Sequence, residues 1–459
     1  MSSETKPVNV TMDTIISLCK RRGFAFQSSE IYGGFGSTYD YGPLGVELLR
    51  NVRNLWWRAM VQERDDVVGL EASILGPEAV YIASNHVSNF TDPLVDCKGE
   101  CKKRWRLDHL VEGQYEAEYG PTKHDKDGQL LCPKCGGELT EPRKFNLMFK
   151  TQVGVIEDES SVAYLRPETA QGMFINFTTV QNATRRKLPF GIAQIGKSFR
   201  NEITPGNFVF RTREFEQAEM EFFVKPGTDD DWHAYWVKER HEWYLRYGIN
   251  PERLRVRPHD KDELSFYSKA TSDVEYRFPW GWGELEGIAN RTSYDLDNHA
   301  RHSGKDLSYF DEETKEHIVP YVIEPAAGVS RTALTFLIDA YDEEPDKDGT
   351  RVVLRFHKDI APIKIAILPL SKKEPLVNLA RQLEKKLRKR WMVLYDETQA
   401  IGRRYRRQDE IGTPYCVTVD FDSLEDNAVT IRERDSMAQV RIAIPDLMAA
   451  LSERLDDKD

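Results

Sequence analysis

Residues 199–223 read FRNEITPGNFVFRTREFEQAEMEFF, and their reading decides the fold. Side chains alternate faces along a strand, so residues of one parity share a face. In the second half Arg211, Arg213, Phe215, Gln217, Glu219 and Glu221 fall together, and in the first half Arg200 and Glu202 do. Between them stand Thr204, Pro205, Gly206 and Asn207, residue types that a chain reversal needs. The stretch predicts an antiparallel pair joined by a loop, with arginines, acids and one aromatic ring on a single face. A half-buried sheet ordinarily turns apolar residues inward. Here the unbroken charged row, with Phe215 in its middle, points to a surface that meets a ligand rather than to a solvated one.

The rest of the chain sets the frame. Its 459 residues give room for two or three domains. With 40% hydrophobic and 30% charged residues the composition is that of a soluble globular protein. No run of eighteen apolar residues occurs, so no membrane span is predicted. The first residues lack a basic start followed by an apolar core, so no secretion signal is predicted. A net charge of −11 excludes an all-round basic coat for nucleic acid but leaves room for a local basic face. Six cysteines in a chain of this length do not make a disulfide framework, which suits a reducing cytoplasm.

Four of those cysteines stand in pairs. CKGEC at 97–101 and CPKCGG at 132–137 flank a polar, glycine-rich middle. Cys132 and Cys135, two residues apart and followed by two glycines, form a knuckle: the turn aims both thiolates at one ion and glycine lets backbone N–H groups approach the sulfurs. Cys97 and Cys101 are spaced one residue wider. Together the four predict a closed, structural Zn²⁺ site, with His109 and His124 as alternative ligands.

Elsewhere hydrophobic period and stop signals place the elements. A short helix is expected over 11–22, ended by Gly23, then a Gly- and Tyr-rich loop over 29–45 and a helix over 46–60. At 165–168 a strand passes into a helix, with Glu168 over the helix start. Residues 188–199 predict a buried strand and 229–247 a helix. Residues 319–340 predict a strand, a small-residue turn at Pro325-Ala326-Ala327-Gly328 and a helix. An acidic stretch with Pro and Gly opens a linker over 341–360, and beyond it strands and helices alternate as in a small α/β domain. Two basic clusters lie there. One is 385–390; the other, Arg403-Arg404-Tyr405-Arg406-Arg407, interleaves tyrosine with arginine, a pattern suited to stacking on unpaired bases and contacting phosphate.

These stretches resemble the class II aminoacyl-tRNA synthetases. Residues 199–223 look like their motif 2, and IAQIGKSFRNE, REFEQAEMEFF and ELEGIANR are similar to the homodimeric glycyl-tRNA synthetase family, over nearly the whole chain. The resemblance implies an α+β protein. Residues 1–340 would form a catalytic domain, an antiparallel sheet flanked by helices and interrupted by the cysteine-bearing insertion at 97–145. A linker at 341–360 would join it to an α/β anticodon-binding domain at 361–459. The 46–60 helix corresponds to motif 1, at a dimer interface. The activity implied is activation of glycine by ATP with Mg²⁺ to glycyl-adenylate, then transfer to the 3'-terminal ribose of tRNA(Gly), in a cytoplasmic homodimer.

The residues permit that chemistry. An ionised carboxylate is already a nucleophile, so attack on the α-phosphorus needs no general base. It needs positioned cations where phosphate charge gathers, and arginine's bidentate, permanently charged fork suits the task. By resemblance Arg200 holds the α-phosphate and Arg331 the far phosphates, as the catalytic pair, and adenine stacks on Phe215. Further nucleotide contacts implied are Asn201, Glu202, Phe210, Arg211, Thr212, Arg213, Glu214, Glu284, Leu285, Gly328, Val329 and Ser330, with Glu284 a candidate Mg²⁺ holder. Glycine offers an ammonium, a carboxylate and no side chain, so its pocket must fix the ammonium and leave no room for a β-carbon. Glu168, Glu219, Glu221, Glu286 and Glu324 supply an excess of carboxylate for this. The glycine site implied by resemblance comprises Arg106, Glu168, Phe215, Glu216, Gln217, Ala218, Glu219, Glu324, Pro325, Ala326, Ala327 and Gly328. Two rival readings stand beside this one. A class II synthetase for threonine, proline or histidine is disfavoured by the acidic, small-residue pocket. A non-catalytic synthetase-like subunit is disfavoured by the retained arginines.

Overall fold

The computed structural model describes residues 10–113, 115–155, 161–203, 206–265, 267–346 and 349–456. Its larger sheet has seven strands: β1 (Val67–Gly69), β2 (Phe190–Phe199), β3 (Glu214–Val224), β4 (Leu254–Pro258), β5 (Ala270–Phe278), β6 (Gly281–Thr292) and β7 (Tyr321–Gly328). They lie in the order β4-β5-β6-β7-β3-β2-β1. Every neighbouring pair is antiparallel except β1 with β2 at the edge. The expected hairpin is β2 with β3, in register from Phe199 opposite Glu214 to Phe190 opposite Phe223. Thr204 and Pro205 of its expected turn lie outside the described residues. Arg200 and Glu202, expected on the first strand, and Arg211 and Arg213, expected on the second, all stand in the connection between β2 and β3.

Parity along β3 divides two environments. Ala218, Met220, Phe222 and Val224 enter the main core, packed with four helices: α1 (Met12–Arg22), α2 (Pro43–Trp57), α3 (Asp229–Arg246) and α4 (Val329–Ala340). Trp236 of α3 sets its ring edge on Phe222 with centroids 5.1 Å apart. The helix ends follow their signals. Thr11 Oγ1 accepts from Thr14 N–H at 3.2 Å at the start of α1, and Gly23 closes it at φ +74°. The other parity is apolar only at its end, where Phe223 packs on Phe177 at 4.5 Å in a second core with Phe174, Phe190 and Leu296. Toward Phe215 no core covers that face, and a cavity opens there.

Residues 325–328 are not a turn. They finish β7, with Ala326, Ala327 and Gly328 opposite Glu219, Ala218 and Gln217, and α4 begins at once with Val329. Small side chains here keep the cavity open while the ladder continues. The cysteine-bearing insertion stands on a three-stranded sheet of Thr91–Asp96, Arg104–Arg106 and Arg143–Asn146.

Residues 341–354, expected as part of a linker, form an antiparallel ribbon of Tyr341–Asp346 against Gly349–Leu354; Lys347 and Asp348 lie outside the described residues. After it come β8 (Ile365–Pro369), α5 (Glu374–Leu387), β9 (Val393–Tyr395), α6 (Ile401–Ile411), β10 (Tyr415–Val419), β11 (Ala428–Glu433), β12 (Gln439–Ala443) and α7 (Leu447–Leu455). The sheet order is β9-β8-β10-β11-β12.

The basic cluster 403–407 lies on α6 and departs from expectation. Arg404 is buried, its guanidinium spent on the Pro369 and Leu370 carbonyls. Arg406 pairs with Asp346 and Asp409, and Arg407 with Asp396. Tyr405 bonds Thr418 through its hydroxyl and lies beneath the Arg432 guanidinium at 4.8 Å. Arg403 alone of the five is exposed. The cluster fastens α6 to its own domain and does not present a free stacking surface.

Candidate active site

The open end of the sheet forms a cavity of about 450 Å³. Its walls come from β3, β6, β7, the β2–β3 connection and the start of α4, which is why residues far apart in sequence meet. Of the residues expected at the site it brings together Arg106, Glu168, Arg200, Glu202, Phe210, Arg211, Thr212, Phe215, Glu216, Gln217, Glu219, Glu284, Glu324, Ala326, Ala327, Gly328, Ser330 and Arg331. Nine others do not line it, among them Glu221 and Glu286, described below. Ala218, Leu285 and Val329 have the parity that enters the main core. Pro325 is buried within β7. Arg213 turns back to the Glu202 and Gly36 carbonyls, and Glu214 pairs with Lys197 at 2.8 Å. Asn201 is tied by its backbone N–H to the Leu147 carbonyl at 2.7 Å.

One end of the cavity is cationic. Arg200 donates from Nε to the Pro167 carbonyl at 2.9 Å and lies 5.3 Å from the Phe215 ring centre. Arg331 donates from Nη1 to the Glu284 carbonyl at 2.9 Å, pairs with its carboxylate at 3.1 Å and covers the Phe210 ring at 4.3 Å. Burial holds the Arg211 guanidinium below its ordinary value, and repulsion from Arg331 and Arg106 adds to this against the pull of Glu202. Guanidiniums converging in this way favour an anionic ligand.

The other end is acidic. Glu219 and Glu324 line it, and Glu221, buried beside them and off the cavity wall, completes a trio whose oxygens lie within 4.8 Å of one another. Burial, with Glu168 beside it, pushes the Glu219 carboxyl up to about 7. Burial, against the pull of Arg291 and with Glu219 nearby, pushes Glu324 up to about 8. Burial drives Glu221 well above the ordinary range, and neither of its carboxylate oxygens has a hydrogen-bond partner among the described residues. Glu168 behaves oppositely. Burial works to raise it, but His86 at 3.6 Å and Arg291 outweigh that and hold it well below the usual carboxylate range. Thr169 steadies Glu219 through its N–H at 3.1 Å and its hydroxyl. Three clustered acids that resist ionisation together, two of them on the cavity wall, favour a ligand that carries positive charge in with it.

Two features went unread in the sequence. Arg291 is 2% exposed and is the hub of the acidic end: it bonds Asp295 at 2.8 and 3.0 Å and Glu324, approaches Glu168 at 3.9 Å and lies 4.0 Å from the Tyr267 ring. The alternation Gly287, Ala289, Arg291 was its signal, since the first two line the cavity. The second is an irregularity in β6. Glu284 pairs with Glu275 and Glu286 with Val274, so Leu285 is an extra residue, a β-bulge. The bulge turns Glu286 away from the cavity and onto α3, where Arg240 holds it at 2.7 Å. Glu286 therefore does not join the ring of acids, contrary to its expected role. Asp273 lines the cavity beside Glu284; burial and Glu284 push it up to about 6 against the His259 contact at 2.7 Å.

The four cysteines meet as expected. Their sulfurs lie within 4.8 Å of one another, with Cys97–Cys135 and Cys101–Cys132 at 3.4 Å. Tetrahedral Zn²⁺ with ~2.3 Å bonds sets ligand sulfurs ~3.8 Å apart, so the cradle fits the ion. Its two glycines cross closely: a Cβ on Gly137 would fall 2.8 Å from the Gly99 Cα. Backbone N–H groups from Cys101 and Gly137 pull the Cys135 thiol down to about 6, while burial and the neighbouring thiols push Cys97 up to about 12. His109 and His124 lie outside this cluster.

Residues 149–341 match the family described as tRNA synthetase class II core domain (G, H, P, S and T), and residues 364–454 match the anticodon binding domain. The glycine–tRNA ligase of Thermobifida fusca is 60% identical over 97% of this chain and 98% of its own length. That of Cutibacterium acnes is 58% identical over 95% of this chain and 94% of its own, and that of Clostridium acetobutylicum 58% over 97% and 99%. The chain belongs to the glycine–tRNA ligase family, with a class II synthetase core and an anticodon-binding domain.

Proposed function

We propose that the protein activates glycine with ATP and transfers it to the 3'-terminal ribose of tRNA(Gly). One observation carries this reading: a single cavity with converging arginines at one end and a ring of buried carboxylates at the other. Triphosphate fits the first and an ammonium the second. In this reading Arg200 receives the α-phosphate, Arg331 the far phosphates, and the Phe215 ring the adenine. Mg²⁺ bound with ATP neutralises phosphate charge, and Glu284, beside Arg331, is the carboxylate to hold it. The glycine ammonium enters among Glu168, Glu219 and Glu324, while Gly328, Ala326 and Ala327 keep the floor shallow. The protein's own contribution is alignment and electrostatics, since the carboxylate attacks without a base.

Zn²⁺ held by Cys97, Cys101, Cys132 and Cys135 is structural here. It fixes the insertion that carries Arg106 to the cavity. We assign the catalytic domain to 1–340 and the anticodon-binding domain to 361–459. The chain acts in the cytoplasm as a homodimer with α2 at the interface; the likeness of 46–60 to motif 1 supports this, and no described helix is long and apolar enough to cross a membrane.

The test is amino-acid-dependent exchange between ATP and pyrophosphate, with glycine, alanine, serine, threonine and proline in parallel. Exchange with glycine alone is expected. Exchange with another amino acid keeps the chemistry and overturns the pocket assignment; none with any amino acid overturns the catalytic reading.

A further inference from the structure

The bulge in β6 reverses what parity would dictate. Glu284 and Glu286 should share a face, yet Glu284 lines the cavity while Glu286 is fully buried against α3. Leu285, the inserted residue, faces the same core. Glu286 accepts from Arg240 Nε at 2.7 Å, from Arg240 Nη2 at 3.2 Å and from Tyr244 Oη at 2.7 Å. Arg240 and Tyr244 are one turn apart on α3, so one helix face makes a three-point grip. Arg240 Nη1 also reaches Met60 Sδ at 3.3 Å, in the π-helical turn Arg58–Gln62 that follows α2.

A buried ion pair of this kind stabilises a fold no better than apolar residues of similar volume. What the bidentate fork does supply is a fixed direction. We propose that Arg240 and Tyr244 are positioning residues for nucleotide activation: their grip on Glu286 locks the bulge, and the bulge aims Glu284 at Arg331 and the nucleotide phosphates. The proposal rests on the ATP-activating reading given above. Residues Glu286 to Asn290 are registered on β7, so relaxation of the bulge would turn the segment before Leu285. Glu284 would then leave the cavity, and Arg331 would lose both its contacts with Glu284.

The experiment uses the full chain and the glycine-dependent exchange reaction. Arg240→Met with Glu286→Leu removes both charges together and leaves neither stranded. Tyr244→Phe removes one hydrogen bond. Glu284→Gln is the reference. For the double variant we expect the KM for ATP to rise by about tenfold or more, as loss of an outer partner commonly does, with a higher Mg²⁺ requirement. The KM for glycine should stay within about twofold, because Glu168, Glu219 and Glu324 sit on other elements. Tyr244→Phe should give a smaller shift of the same kind. Combined with Glu284→Gln, it should add nothing further. A folded variant with unchanged KM for ATP, an equal rise in both KM values, or full additivity with Glu284→Gln would overturn the proposal. If the double variant fails to fold, Tyr244→Phe decides alone by the same criteria. Native protein without glycine-dependent exchange would instead defeat the underlying functional reading.

Discussion

Glycine binding should expel protons, and the number should depend on pH in a way the acidic end of the site fixes. The ammonium needs ionised carboxylates around it, but burial pushes Glu219 up to about 7 and Glu324 up to about 8. At pH 7 the free site thus holds about one proton or more, shared between the two carboxyls. Ionising both on binding releases about one to two protons between pH 6 and 7, and few at pH 9. The sign follows from the direction of the shifts. Both folded values lie above the ordinary 4.5, so the stability these groups contribute to the ligand-free protein is full below about pH 4.5. It is lost as pH rises through 7 and then 8. Glycine affinity rises across the same window, by at most about two decades per unit while both groups remain protonated. The assay is calorimetric titration with glycine at pH 6, 7 and 9, each in two buffers of different ionisation enthalpy. A binding heat at pH 7 that is the same in both buffers would show that no proton moves and would refute the assignment of Glu219 and Glu324 to the ammonium.

Four further outcomes follow from particular contacts. Arg331→Ala should lower the exchange rate by about 10²- to 10³-fold, as removal of one charge-stabilising donor does, with the melting temperature little changed. Metal analysis of protein purified without chelator should find one zinc per chain; Cys132→Ser should lose it and expose the 97–145 segment to limited proteolysis. Gly196→Ala should destabilise by about 1–3 kcal/mol in thermal melts, the usual cost of overpacking. The reason is local: the new Cβ would stand 2.2 Å from Arg166 Nη2, and Arg166 is fixed by the Lys197 and Ala72 carbonyls. Asp409→Ala should cost about 3–5 kcal/mol by denaturant unfolding, because it strands Arg432 as an unpaired buried charge and leaves Arg351 with Glu344 as its one carboxylate partner.

Local pattern carried the antiparallel pairing, the row from Phe215 onward on β3 and each cysteine pair of the cradle, because each depends on spacing within one short stretch, while Arg200, Glu202, Arg211 and Arg213 fell in the connection instead of on the strands. Parity counting failed at β6, where one extra residue at Leu285 sends Glu284 and Glu286 to opposite faces. A bulge has no sequence mark there apart from its partner strand. Small residues at 325–328 looked like a turn, but their smallness serves the cavity beside them. The arginines on α6 looked available, yet Asp346, Asp396 and Asp409 pair with Arg406 and Arg407, and the carbonyls at the end of β8 take up Arg404. Whether a charge is solvated, paired or offered to a ligand is decided by such partners. Arg291 shows the converse: a single residue whose weight becomes visible only when Asp295 and Glu324 close around it.

The ribbon before β8 has a bearing on how this module can be inherited. Arg351, on its second strand and 1% exposed, donates to Asp409 of α6 at 2.9 Å and to the Arg434 carbonyl. The match to the anticodon binding domain begins only at residue 364. A recombination joint placed at that start would hand the recipient a domain missing its own keystone cation, with Asp409 left to Arg432 and Arg406. The transferable unit is therefore longer than the recognisable one, and a graft that keeps the ribbon is the one equipped to fold in a new host protein.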